Sequence, residues 1–337
     1  MKTLVRLVIL LFIIGAILIG VAVSGGVNLE GITNYISDDE SYGSEIVYLS
    51  TTTIDTLNMD LDTRNIEISV TTEDHIIVSY YEHEKDTWTI SELNGILNIK
   101  QTVKATFFNW FNFKIPTYEV STVYIEVPSD LILEYSLISS TGDIKYIEGP
   151  VKATDVFIDS ATGNLNLQNL DMDSLVIRMD TGNISLDDLT ILGGLDAESD
   201  TGNIIISDVN SEDTLLETET GKITLTNLVS SSLNADTATD NISLTDSLIS
   251  GQVILSSNTG NVTITDSTGT SFDLSSDTGD MRFTSNQSID LRYDLFTMTG
   301  NITVNGDNQG NMHSTSNGSI LLKVKSTTGN ITINVQD

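Results

Sequence analysis

The sequence predicts an all-β protein: a parallel β-solenoid (β-helix) with rungs of about 19–20 residues, preceded by one N-terminal transmembrane helix. Three observations predict it. A Thr-Gly-Asn/Asp-aliphatic motif recurs at near-constant spacing. Apolar residues alternate with polar ones on both sides of each motif. The 337-residue chain has 24 Gly, 3 Pro and no Cys, which suits turns and strands without disulfides.

The N-terminal element rests on the unbroken apolar run Leu7–Val23, which follows Lys2 and Arg6 and precedes Glu30, Asp38, Asp39 and Glu40. A spanning helix needs roughly 20 mostly apolar residues, so residues 1–26 read as a transmembrane signal anchor. The charge bias places the N-terminus in the cytoplasm and the C-terminal domain outside a single-pass cell-membrane anchor. Cleavage at the small-x-small site Ala22-Val23-Ser24 would instead release a secreted protein. Residues 27–44, rich in Gly, Ser and acidic residues, read as a juxtamembrane linker.

Residues 45–134 read as an N-terminal β region that caps the solenoid and covers its first edge. Strand-like runs fall at His75–Tyr81, Thr87–Ile90, Ile96–Gln101 and Tyr118–Val127. A faint copy of the repeat, Thr63-Arg64-Asn65-Ile66, carries Leu57 and Met59 before it and Ile66 and Ile68 after it. Phe107, Phe108, Trp110, Phe111 and Phe113 cluster between Lys104 and Lys114. They read either as a partner or membrane contact at a hairpin tip or as a hydrophobic plug over the first rung. Alternation places Phe107, Phe111 and Phe113 on one strand face and favours the plug.

Residues 135–337 carry the regular repeats. The turn glycines are Gly142, Gly163, Gly182, Gly202, Gly221, Gly260, Gly279, Gly300 and Gly329, with Asp240 standing in one copy and Asn317-Gly318 forming a degenerate one. From 142 to 318 the steps vary only from 18 to 21 residues, which is the signature of stacked repeats. Apolar residues two and four positions after each Gly (Ile184 and Leu186, Ile223 and Leu225) and seven and five before it (Leu175 and Ile177) define two strands per rung. Leu170, Leu189, Val209 and Leu228 mark a further inward corner. Gly tolerates a left-handed turn, and the Asn after it is placed to bond the Asn of the next rung.

Composition also limits function. Lys+Arg number 15 against 47 Asp+Glu, a formal charge of −32, which excludes nucleic acid as a partner. Without Cys there is no thiolate site, and three His provide no multi-His metal centre or cofactor motif. No His-Glu-x-x-His, Gly-x-Ser-x-Gly or phosphate-loop pattern occurs. Asp180, Asp200 and Glu219 occupy one position in successive rungs, about 4.8 Å apart once stacked. A Ca²⁺ ion would relieve their repulsion. Ala161, Ala238 and Asn258 interrupt the row, so a hydrated acidic stripe is the reading preferred. Outward pairs Thr224/Thr226, Ser243/Thr245 and Thr263/Thr265 form a short ladder that Asp187 and Arg282 break.

The chain resembles the exported β-strand-repeat family labelled "putative adhesin", a domain of unknown function in bacterial cell-envelope proteins. The likeness is carried by the anchor Met1–Val23, Ile76–Tyr81 with Glu82–Asp86, Trp110-Phe111-Asn112-Phe113, Ser140-Thr141-Gly142-Asp143-Ile144 and the Asp-Thr-Gly-Asn-Ile rungs. It implies an envelope-located, right-handed β-solenoid, tied in some members to envelope stress, and it supplies no catalytic residues. The expected role is therefore a membrane-anchored extracellular interaction or scaffold module, adhesin-like and non-catalytic. Its partners are the lipid bilayer through the N-terminal helix and a cell-wall polymer or envelope proteins. Two other classes are an envelope-stress sensor or regulatory partner at the membrane and a carbohydrate-active β-helix enzyme. The even rung spacing leaves no long insert from which a catalytic groove would be built.

Overall fold

The computed structural model describes residues 38–104, 116–148 and 151–336. The expected helix of residues 1–26, most of the linker and the aromatic cluster Phe107–Phe113 lie outside them. Among the described residues no helix is long and apolar enough to cross a membrane. The one helical element there is the 3-10 turn Asp39–Ser41.

Each regular rung begins with a strand such as Ser174–Thr181, turns at Gly182-Asn183 and continues as Ile184–Ile191. That second strand bends at Asp188, whose φ is 53°. Asn169, Asp208, Asn227, Asp246 and Asp266 adopt the same left-handed conformation at the equivalent corner. Asn and Asp tolerate it because their short side chains bond locally. Period-two patterning does the rest: Leu175, Ile177, Ile184, Leu186, Leu189 and Ile191 are 0–2% exposed. The same columns form one continuous apolar core, with buried hydroxyls standing in them at Thr214, Ser247 and Ser267. At about 1.5–3 kcal/mol per fully buried aliphatic side chain, this column offsets the absence of disulfides.

Neighbouring rungs pair in parallel and in register, as in Leu175↔Leu195, Ile177↔Ala197 and Thr181↔Thr201. Backbone bonds Gly182 N→Thr201 O and Ile184 N→Asn203 O, both 2.9 Å, close each step. The fold is thus all-β and solenoid-like, as expected.

The rungs do not stack in chain order at either end. Strand Ser271–Thr278 pairs with Ile320–Thr328, and Ile320–Thr328 pairs with Leu291–Thr299 on its other side. The last rung in sequence is therefore inserted between its two predecessors. Gly329, and not Gly318, is the turn residue that stacks on Gly279. Gly318 instead sits against the backbone of Leu291 and Arg292 at another corner, which corrects the degenerate copy read from spacing. At the other end Thr56–Leu61 lies between Ile96–Val103 and Ile132–Ser139. Its partner strand Asn65–Thr71 lies between Thr122–Pro128 and Ile144–Glu148. The faint copy around Arg64 is thus a true rung, and the expected boundary at 134/135 falls inside strand Ile132–Ser139.

Antiparallel strands close both ends. Asp86–Leu93 covers Ile96–Val103, Ile77–His83 covers Thr122–Pro128, and Tyr42–Leu49 covers Ile77–His83. At the far end Met312–Ser314 and Asp307–Gly310 run antiparallel to the final rung. Further boundaries differ from the sequence reading: the runs expected at His75–Tyr81, Thr87–Ile90 and Ile96–Gln101 are the strands Ile77–His83, Asp86–Leu93 and Ile96–Val103. Residues 118–121 form a turn before strand Thr122–Pro128, and the first strand begins at Tyr42, inside the expected linker.

Candidate functional site

The repeated motif builds a corner column, and its chemistry is structural. A Cβ on Gly182 would lie 1.7 Å from the carbonyl oxygen of Gly163. The same contact, at 1.8 to 2.2 Å, recurs at Gly142, Gly163, Gly202, Gly221, Gly260, Gly279, Gly300 and Gly329. Close approach of backbones, more than left-handed torsion, is what demands Gly here. The Asn after it forms the expected ladder. Asn164 Oδ1 accepts from the N–H and Nδ2 of Asn183, each at 3.1 Å, and Asn183 Oδ1 accepts from Asn203 N at 2.9 Å. The ladder follows spatial order, because Asp280 Oδ1 accepts from Asn330 N and Asn330 Oδ1 from Asn301 N.

It breaks once. Asn203 accepts from Lys222 N, but Lys222 has no acceptor to offer Asn241. The Gly position of that next rung holds Asp240, whose own carboxylate accepts from Asn241 N at 2.7 Å. Asp240 adopts φ 116°, away from the 146–148° of Gly142, Gly163 and Gly182.

A second ladder escaped the sequence reading. Three residues before the turn residue, from the rung of Gly202 onward, a side chain with inward parity is a hydroxyl: Ser199, Thr218, Thr237, Ser257, Ser276, Thr297 and Ser326. Each donates to the turn carbonyl of the rung below, for instance Thr237 Oγ1→Gly221 O at 3.0 Å and Ser276 Oγ→Gly260 O at 2.9 Å. Met179 holds that place before Gly182, and the Ser139 and Ser160 hydroxyls there make no hydrogen bond. The signal was legible as a fixed offset of polar residues at an apolar position.

The outward face of the first strand carries the charge. Four residues before the Gly, one in-register column reads Asp159, Arg178, Glu198, Glu217 and Asp236. Beside it stand Asp196 and the row Asp180, Asp200 and Glu219, all three of which are exposed. Arg178 is the one base in this field. Its Nη1 donates to Asp196 Oδ1 at 3.0 Å and its Nε pairs with Glu198 Oε2 at 3.2 Å. The Asp196 hydrogen bond is the main reason its pKa rises. Asp200, Glu217, Glu219 and Asp236 form no ion pair among the described residues. Nor do any three His, Asp or Glu among the described residues gather closely enough to hold a metal ion. The expected Thr ladder aligns as Thr224↔Ser243↔Thr263 and Thr226↔Thr245↔Thr265 and ends at Ile205 and Arg282.

The N-terminal rungs hold a buried polar cluster. Arg64, in the place of the turn Gly, forms an ion pair with Asp86, both almost fully buried. Gln101 Nε2 at 3.0 Å, His83 N at 3.1 Å and Trp88 Nε1 at 3.3 Å also donate to Asp86. Gln101 Oε1 caps the N–H groups of Asp62 and Thr63, and the Tyr42 ring lies 5.1 Å from the guanidinium. With its charges paired and the Asp86 oxygens accepting from four side-chain and backbone donors, this cluster closes a corner, and Arg64 Nε is buried in it without a hydrogen-bond partner. His75, without a partner in the sequence reading, pairs with Asp74 at 2.9 Å, and His313 packs on Tyr293.

Stacked rungs with structural corners and one acidic sheet face define the class: a repeat protein whose outer surfaces, and not a buried centre, carry the variable chemistry. Residues 54–238 match the family described as Toastrack DUF4097, a domain of unknown function, and the chain belongs to that family. No curated protein matches it. Among solved structures it is similar to a "putative cell adhesion protein" from Clostridium sporogenes (12% identity, 87% of this chain and 99% of that one, TM-score 0.24). It is similar to a "putative adhesin" from Bacteroides fragilis (14%, 88% and 99%, TM-score 0.38). A "putative lipid binding protein" from Parabacteroides distasonis also resembles it (13%, 88% and 98%, TM-score 0.38).

Proposed function

We propose that this chain is a non-catalytic interaction module of the cell surface. The apolar segment Leu7–Val23 holds it in the membrane, and the solenoid stands outside. The acidic sheet face is its contact area. The observation that carries this reading is the column Asp159–Arg178–Glu198–Glu217–Asp236, where four carboxylates share one base. Like charges about 4.8 Å apart repel, and the fold maintains that cost along one sheet face. A cationic partner, such as a basic envelope protein or a cationic peptide, relieves it.

The test uses the full chain in a detergent with no sugar headgroup, labelled and added to isolated cell wall, to lipid vesicles and to an octalysine peptide across a salt series. Saturable binding that weakens with salt supports the reading. The triple variant Glu198→Gln, Glu217→Gln, Glu219→Gln should weaken binding at least tenfold. Absence of binding to all three probes, or binding indifferent to both salt and the variant, refutes it.

A further inference from the structure

An open cleft of about 460 Å³ lies at a corner of the N-terminal rungs. Three turns far apart in sequence form it, at residues 50–54, 74–76 and 128–131. Its volume falls in the range of small-molecule sites. Its floor is aliphatic, with Ile54, Ile76 and Pro128 buried, and its rim is polar, with Thr51, Thr52, Thr53, Asp74 and Asp130 exposed.

One wall is tied down by a single carboxylate. Glu92, on strand Asp86–Leu93, accepts five hydrogen bonds: from Tyr48 Oη at 2.7 Å, Thr51 N at 2.8 Å, Thr51 Oγ1 at 3.1 Å, Thr52 N at 3.0 Å and Thr52 Oγ1 at 2.6 Å. Ser50 ties the same loop to the second turn, accepting from Ile76 N at 2.9 Å. An exposed run of three threonines is thereby fixed in one conformation, which lowers the entropy lost when a ligand is bound. Thr53 and Asp130 form no side-chain hydrogen bond among the described residues, and His75 engages only Nδ1, with Asp74.

The lining selects the ligand class. It holds no Lys or Arg, so phosphate and carboxylate ligands find no counter-charge. The rim is too polar for a lipid chain. Hydroxyls, two carboxylates and an imidazole give donors and acceptors at close intervals above an apolar floor. That combination matches a neutral ring with hydroxyls on its edge and C–H groups on its face. We infer that this cleft is a binding subsite for a neutral saccharide of one or two rings. The inference rests on the surface-binding reading and supplies it with a second, uncharged ligand class.

The full chain in sugar-free detergent is titrated with cellobiose, maltose and N,N′-diacetylchitobiose at millimolar concentrations. Saturation-transfer NMR detects binding, and hydrogen exchange locates it. The expected result is saturation transfer to at least one disaccharide, with slowed exchange in peptides covering residues 50–54 and 128–131. Asp130→Ala and His75→Ala should each reduce affinity at least fivefold, and Glu92→Gln should reduce it by loosening the loop. Exchange elsewhere in the variants reports that the rungs stay folded. No saturation transfer from any disaccharide, protection confined to other surfaces, or unchanged affinity in both alanine variants overturns the inference. Silent saccharides with intact salt-sensitive binding refute the cleft alone. Loss of salt-sensitive binding with saccharide binding retained refutes only the acidic-face reading.

Discussion

Replacing Gly182 by Ala separates two reasons for a glycine. A Cβ at this position would sit 1.7 Å from Gly163 O, where real contacts do not fall below 3.0 Å, so the two rungs must part by roughly 1.3 Å. The obstructing atom is backbone and cannot swing aside. Four hydrogen bonds cross this step: Gly163 N→Thr181 O at 3.0 Å, Leu165 N→Asn183 O at 2.9 Å, and two from Asn183 to Asn164 Oδ1 at 3.1 Å. At a net value of about 1 kcal/mol each, their loss costs about 4 kcal/mol. Gly306 is the control. Its φ is +88° and nothing lies within 4 Å of its missing Cβ, so Ala there costs only the torsional strain, about 1–2 kcal/mol. Urea unfolding of the full chain in detergent, followed by far-ultraviolet circular dichroism, compares the two midpoints. Equal losses in both variants would refute the argument from close approach.

Further outcomes follow from the corner and the core. In an Asp240→Gly background, where Asn241 N has lost its acceptor and the strain at φ 116° is relieved, adding Lys222→Asn should gain about 1 kcal/mol by restoring the ladder, read from the same urea midpoints. The hydroxyls of Tyr135 and Tyr146 are buried without a partner, so Tyr135→Phe should be neutral or stabilise by about 1 kcal/mol in thermal melts. Burial pushes both phenols well above the ordinary 10.0. As pH rises above 10 the unfolded phenols ionise while the buried ones do not, so stability falls with pH there, and alkaline unfolding should be milder in the double Phe variant. Burial alone would raise Glu92, but bonds from Thr52, Tyr48 and Thr51 outweigh it and hold the carboxyl at about 2, against 4.5 unperturbed. Its contribution is complete above pH 4.5 and is lost as pH falls through about 2. Hydrogen exchange at Thr51 and Thr52 should quicken in that window, and already at neutral pH in Glu92→Gln.

Local pattern made the rung legible. The alternation around Gly182 placed Leu175, Ile177, Ile184 and Leu186 inward, and the Asn ladder followed from Asn at a fixed offset. Arg64 was recognisable as a turn residue by its neighbours alone. Stacking order was not legible, because the rungs are nearly interchangeable: nothing beside Gly279 states whether Gly300 or Gly329 lies against it. The acidic column was only half read. Asp180, Asp200 and Glu219 were seen, while Asp159, Glu198, Glu217 and Asp236 sit at an equally constant offset beside them. The cleft had no sequence signal, since residues 50–54, 74–76 and 128–131 meet only through the displaced order of the first rungs.

That displaced order also constrains how the chain is made. A polypeptide emerging from the ribosome could add regular rungs one at a time, each on the edge left by the last. Here the strand Leu291–Thr299 is finished before the neighbour it needs, Ile320–Thr328, exists. The growing stack must leave a gap beyond Ser271–Thr278 until the final residues arrive. At the other end, Thr56–Leu61 awaits Ile132–Ser139. The molecule is latched at both ends by strands threaded between neighbours, so neither terminus can peel away rung by rung. Fraying, the usual weakness of a linear array, can strip the one-sided covering strands such as Tyr42–Leu49, but to lose a rung it must withdraw a strand paired on both sides.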